Sequence, residues 1–212
     1  MSFPTDTSGH NAPTLADAGR LRLRPIDSSD RAGVAALFAR LSPESRYRRF
    51  LSPKPRLTPR ELSYLTEVDQ VHHVAIAAVD EFSGAIVGFS EYVQTSDRAC
   101  VAEVAVVVVD ELQGLGVGTA LATRAMQRAC SNGFARLTAT TLWENRAARS
   151  LLRRLGFRAQ ASNGHEIEHL LELNCEQSRG STAHVTTQHH RPKGHRHDCP
   201  TPHHRPRESE DR

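Results

Sequence analysis

Two stretches of the 212-residue chain place ligand-binding or reactive residue types at spacings that chemistry uses. One is Gln113-Gly114-Leu115-Gly116-Val117-Gly118, which follows an apolar run and opens at once into a helical pattern. The first amides of a helix lack intrahelical partners and sit at the positive end of its dipole, so an anion is stabilised there. Glycines remove the side chains that would hold a phosphate away, and they permit the turned backbone that points several N–H groups inward. The third glycine of a dinucleotide loop is missing, because Thr119 and Leu121 hold the two places it could take, and no P-loop lysine is near. On the residues alone, a tight strand-to-helix turn with no ligand is the competing reading.

The other stretch is His165-Glu166-Ile167-Glu168-His169, a formal match to the H-E-x-x-H of zinc peptidases. That chemistry needs both histidines one turn apart on a helix. Here Asn163-Gly164 separates two alternating runs, the strongest short signal for a hairpin. Ile167, Leu171 and Leu173 fall on one side of the second run, and Glu166, Glu168 and Glu172 on the other. In a strand the two imidazoles lie about 13 Å apart at roughly 3.3 Å per residue. No single zinc, with nitrogen bonds near 2 Å, bridges that gap. No third ligand is apparent, so no metal is assigned.

The elements that must position these residues follow from periodicity. Residues 21–26 read as a strand. Residues 27–42 read as a helix capped by Asp27 or Ser28, with Val34, Leu37, Phe38 and Leu41 on one face, and 43–51 as a second helical piece. Thr58-Pro59-Arg60-Glu61 is a capping box with proline at the first helical position, opening a helix to about Glu67. Strands at 72–80 and 85–95 join through Ser83-Gly84, and 100–110 is apolar enough to be a strand buried on both faces. A helix over 116–133 carries the stripe Val117, Leu121, Ala125, Ala129 and stops at Asn132-Gly133. A strand (135–143), a helix (145–155) and two strands (157–162, 165–173) complete the order. This is an α/β (α+β) fold: one domain with a mixed, mostly antiparallel sheet flanked by helices.

That domain spans 20–174. Residues 1–19 and 175–212 are poor in apolar residues and are expected to be disordered. The tail carries seven histidines, and His195, His197 and Cys199 could ligate a metal weakly, without the closed spacing of a structural zinc site. Its 7 Arg/Lys against 5 Asp/Glu leave the remainder at 20 against 19, too balanced for a dedicated nucleic-acid binder. No apolar run approaches the ~18 residues of a membrane span, and the first residues lack the plan of a signal peptide. Cys100, Cys130, Cys175 and Cys199 show no close pairing, which fits a reducing compartment. A cytoplasmic protein is expected. Lys54 and Lys193 are the sole lysines beside many arginines, as a GC-rich bacterial gene would produce.

Q-x-x-G-x-G, with Gln113, Gly116 and Gly118, resembles the signature loop of the GNAT superfamily of acyl-CoA N-acetyltransferases. "ENRAARSLLRRLGF", with Asn145, Ala148, Leu151 and Gly156-Phe157, resembles that family's asparagine-to-Gly-Phe segment. The resemblance implies acetyl-CoA as co-substrate with no metal. The backbone of Val106, Val107 and Val108 would pair with the pantetheine arm, in a gap where this strand splays from its neighbour. The amides of Gln113, Gly114, Leu115, Gly116, Val117 and Gly118 would take the pyrophosphate. An N–H near Val106 would polarise the thioester carbonyl. Asn145 would hydrogen-bond the arm or the acceptor.

The acceptor amine must be neutral to attack, and a lysine is mostly protonated near pH 7. Glu103 is the candidate general base, as the sole charge in the run 101–109, with burial expected to raise its pKa. The competing reading is a strand-end glutamate facing water. "AEVAVVVVDELQGLGVG" is similar to the matching strand of bacterial Pat-type protein lysine acetyltransferases, where a glutamate at this place acts as base, and "LSPESRYRRFL" resembles their N-terminal part. The family's tyrosine, the proton donor to the leaving thiolate, is replaced by Leu152. Water, Tyr92 or Tyr47 could take the acid role, but both tyrosines read as packing residues, Trp143 as core, and His72 and His73 as a solvated strand end ahead of an acceptor contact. A primary amine is expected as acceptor, on a protein lysine or a small molecule, and a monomer or homodimer as the working form. Leu152 also favours a third reading, a regulatory module that binds acyl-CoA and transfers nothing.

Overall fold

The computed structural model describes residues 21–95 and 100–175. Its strands are β1 (Leu21–Pro25), β2 (His73–Asp80), β3 (Ile86–Gln94), β4 (Val101–Val108), β5 (Arg136–Leu142), β6 (Arg158–Asn163) and β7 (Glu166–Glu172). They form one sheet in the order β1-β2-β3-β4-β5-β7-β6. Every neighbouring pair is antiparallel except β4 and β5. The helices are α1 (Arg31–Arg40), α2 (Pro43–Phe50), α3 (Pro59–Thr66), α4 (Val117–Ser131) and α5 (Arg146–Arg154). The mixed, mostly antiparallel α/β architecture read from periodicity is the one observed.

Local chemistry sets the ends of these helices. Asp27, not Ser28, is the first cap: it accepts from Ser29 N at 2.8 Å and forms a capping box with Asp30 around a single 3-10 turn before α1. Thr58 and Glu61 make the expected reciprocal box at α3, behind Pro59. Gly133, with φ of 85°, follows the end of α4 in the left-handed region that glycine favours.

Two apolar faces close on the sheet. Val117, Leu121, Ala125 and Ala129 of α4 are buried as one stripe, and the Ser90 hydroxyl of β3 donates to Leu121 O at 3.1 Å. Gly88 lets this layer close, because a Cβ there would stand 2.8 Å from Val107 O. On the opposite face, Val34, Leu37, Phe38 and Leu41 are buried together, with Phe38 edge-on to Phe50 at 5.7 Å. Each such side chain contributes roughly 1.5–3 kcal/mol when removed from water.

Several expectations change in three dimensions. Cys130 and Cys175 form a disulfide, with Cα atoms 5.4 Å apart, and none of the described cysteines is free. Their separation of 45 residues hides the pairing in the sequence. It arises because β7 returns past the end of α4, where Leu173 N donates to Ala135 O at 2.8 Å. Trp143 is 60% exposed, not core, because it lies just past the end of β5 and covers the Arg149 guanidinium at 4.4 Å. The strand β4 is not buried throughout: Ala105 and Val106 are half-buried and Glu103 is exposed. The histidine-rich tail lies outside the described residues.

Candidate active site

The central feature is a parting of strands. β4 and β5 pair at only three positions, Val101↔Arg136, Ala102↔Leu137 and Glu103↔Thr138. Beyond Glu103 the partner of β5 is β7 alone, from Ala139 to Leu142, while β4 keeps β3 through to Gly88↔Val108. Residues 104–108 thus have no neighbouring strand on one side, as the resemblance implied. Buried backbone groups need partners, so such an edge suits a ligand that can act as a strand.

That edge lines a cleft of about 520 Å³. Val106, Val107, Val108, Gln113, Gly114, Gly116, Gly118 and Asn145 all border it, joined by Ser45, Arg48 and Arg49 of α2 and by Leu152 of α5. Gly114 and Gly116 have φ of 80° and 89°, and Gly116 is the residue before α4. Gly118 needs no such freedom, and a Cβ there would meet only ordinary contacts, the nearest at 3.6 Å. Its side of the cleft is open because of the glycine, which suits a bulky group seated on the helix N-terminus.

The glutamine of the loop works through its side chain. Gln113 Nε2 donates to Val108 O and to Ser45 Oγ, both at 3.1 Å. Ser45 Oγ in turn donates to Asp110 Oδ1 at 2.7 Å, and Asp110 also accepts from the Ser42 N–H at 2.9 Å and hydroxyl at 2.8 Å. Burial tends to raise the Asp110 carboxyl, but these hydrogen bonds outweigh it and hold it below the usual carboxylate range. The network locks the start of α2 to the glycine loop. Asn145 caps α5, its Oδ1 accepting from Ala148 N at 3.1 Å, which fixes the amide at the cleft edge with its N–H₂ available to a new partner.

Glu103 sits where β4 and β5 part, as the last paired residue of β4, and its Oε1 accepts from the Thr140 hydroxyl at 3.3 Å. The burial expected of it is absent: its side chain is exposed, as in the competing reading of a glutamate facing water. In the β3–β4 register Val93 lies opposite Glu103, and Glu91 opposite Ala105. Strand alternation puts all of these on one face. On that face stands a cluster with no sequence signal in its spacing: buried Glu91 is ion-paired with Arg49, and its second oxygen is 2.9 Å from His73 Nε2. The His73 ring packs on Tyr64 at 4.6 Å. Burial works to raise the Glu91 carboxyl, but the Arg49 charge and then His73 outweigh it and hold it below its ordinary value. His73 is therefore no solvated strand end, and His72 hydrogen-bonds Asp69 at 3.1 Å.

Tyr92 is a packing residue, fully buried, donating to Val71 O at 3.2 Å and accepting from Asn132 Nδ2 at 2.6 Å. Burial pushes its phenol up to about 12. Tyr47 is exposed instead of packed. His169 is buried on β7 with Nε2 2.9 Å from Thr141 Oγ1, whereas His165 is exposed in the preceding turn. The H-E-x-x-H match thus lies on a strand hairpin, and the described residues include no group of three or more His, Cys, Asp or Glu able to hold a metal ion.

Comparisons with known proteins agree with this geometry. Residues 36–157 match the family model described as acetyltransferase (GNAT) family. An acetyltransferase of Pseudomonas aeruginosa is 30% identical over 176 residues, covering 81% of this chain and 94% of that one. The crystal structure of the GNAT domain of S. lividans PAT is 28% identical, covers 72% of this chain and 90% of that one, and superposes with a TM-score of 0.68. An acetyltransferase structure from Salmonella typhimurium with acetyl-CoA has the same fold at 18% identity, TM-score 0.60, covering 73% and 95%.

Proposed function

The chain belongs to the acetyltransferase (GNAT) family, and from that premise we propose that it moves an acetyl group from acetyl-CoA to a primary amine, with Glu103 as general base and a protein lysine as acceptor. The observation that carries this reading is the parting of β4 from β5 directly above the glycine loop. The amides of residues 113–118 receive the pyrophosphate at the start of α4. The pantetheine arm runs along the unpaired edge at Val106, Val107 and Val108, and an N–H near Val106 polarises the thioester carbonyl. Asn145 contributes its amide N–H₂ to the arm. Glu103, at the closed end of the gap, removes a proton from the acceptor amine directly or through water. The nitrogen then attacks the carbonyl carbon, and the C–S bond breaks without a covalent enzyme intermediate.

A lysine acceptor is supported by the likeness of 102–118 and 41–51 to Pat-type enzymes. A small amine is the alternative, and intact-mass screening of acetyl-CoA turnover against amines and lysine-bearing proteins separates the two. The second class of reading, an acyl-CoA sensor without transfer, is favoured by Leu152. Glu103→Gln decides between enzyme and sensor: transfer is expected to fall about 10²-fold or more with CoA affinity kept, and unchanged transfer removes Glu103 from the mechanism. No helix among the described residues is long and apolar enough to cross a membrane. The reaction assigns the chain to the cytoplasm, where acyl-CoA is supplied. The Cys130–Cys175 bridge runs against that assignment, and counting thiols in acid-quenched cells tests it.

A further inference from the structure

Arg49 is one of three arginines, with Arg48 and Arg154, that border the cleft, and it is the one paired with a buried carboxylate. Its side chain is 11% exposed, pairs with Glu91, and lies 4.9 Å and 5.7 Å above the rings of Phe50 and Phe89. Glu91 is opposite Ala105 and Phe89 opposite Val107 in the β3–β4 register, so the guanidinium stands over β3 beside residues 105–107 of β4 and borders the cleft with them. Those are the residues beside which the thioester is placed. The Nε–H of Arg49 is buried and has no hydrogen-bond partner among the described residues, which leaves the fork with a spare donor. Arg49 borders the same cleft as Leu152, the residue that stands where the family's proton-donating tyrosine would be.

We propose that Arg49 fills the role that this leucine leaves empty: its guanidinium stabilises the negative charge that develops on the CoA sulphur as the thioester breaks. The inference rests on the acetyl-transfer reading above. The amine nitrogen bonds to the carbonyl carbon and its proton passes to Glu103. The C–S bond breaks with its electron pair left on sulphur, and the thiolate then takes a proton from water. Nothing is oxidised or reduced. An arginine stays charged at any working pH, so it acts as a fixed positive charge where a tyrosine would act as an acid. Glu91 and His73 are positioning residues: they hold the guanidinium beside β4.

Arg49→Met alone strands the buried Glu91 charge and risks unfolding, so the test uses the double variant Arg49→Met/Glu91→Gln, which removes both charges together. Its kcat is expected to fall about 10²-fold, with CoA affinity by calorimetry changed less than about threefold. Adding Leu152→Tyr to that background should recover at least about tenfold of kcat. It should also bring an alkaline fall in rate near pH ~10, where a phenol ionises, which the wild type lacks. Wild-type kcat in the double variant, or no recovery on adding the tyrosine, overturns the proposal. If the double variant does not fold, Arg49→Lys carries the comparison. Its deficit must shrink with the acetyl ester of a more acidic aryl thiol, and a constant deficit is equally fatal. Wild-type protein that binds CoA but transfers to no amine defeats the parent reading instead, and that outcome is recognisable before any variant is made.

Discussion

A glycine tells most where the backbone has no need of it. Gly116 has a φ of 89°, so any replacement is strained and its loss of function would be ambiguous. Gly118 is free of that demand and its Cβ would fit, yet it borders the cleft. Gly118→Ala is therefore expected to leave the melting temperature within a degree or two while CoA affinity falls at least about tenfold, read by calorimetry. Retained affinity would place the phosphates elsewhere. Glu103 was identifiable from the sequence as the lone charge of an apolar strand, but its exposure was not. Exposure depends on which side chains the tertiary packing brings over the strand, which strand alternation alone does not give.

At the level of elements, the cleft depends on α2 being locked to the loop by Ser42, Ser45, Asp110 and Gln113. Asp110→Ala removes the acceptor for a buried hydroxyl and for the Ser42 amide. It should cost about 1–3 kcal/mol in denaturant unfolding and weaken CoA binding in parallel. Stability lost with affinity untouched would mean that the network serves α2 alone. The Thr58–Glu61 capping box, the α4 stripe and the Asn163-Gly164 hairpin were all legible in the sequence, because each is a contact within a few residues. The bridge between Cys130 and Cys175 was not. Replacing both by serine should lower stability by about 2–4 kcal/mol, measured against the oxidised protein, since the cross-link shortens the unfolded chain's loop.

The molecule as a whole carries an acid liability. Asp30, Glu91 and Asp110 are all held below their ordinary values: Asp30 by its hydrogen bonds with Arg24, Glu91 by Arg49 and His73 against burial, Asp110 by its hydroxyl and amide donors against burial. A carboxyl whose folded pKa is depressed contributes stability that is fully present above its unfolded pKa, roughly 4, and lost as pH falls through the folded value. His169 acts in the same direction, because burial, then Arg149, lower its pKa and protonation favours the unfolded chain below about pH 6.5. Unfolding free energy should thus fall steadily from about pH 6 to pH 3, and Glu91→Gln should flatten the lower part of that curve. An unchanged slope would show that Glu91 does not contribute.

The amino-acid order by itself determined the fold class, the succession of strands and helices, the strand identity of the H-E-x-x-H match and the glycine loop at the head of α4. Periodicity, capping and turn chemistry are local, so a single pass along the chain contains them. Only the tertiary structure decided that Arg49 meets Glu91 and His73, that Trp143 stays outside the core, and that Cys130 reaches Cys175. Those outcomes depend on sheet register and on which helix covers which strand. They are set by the packing of residues about 20 to 45 positions apart, for which no short-range pattern exists.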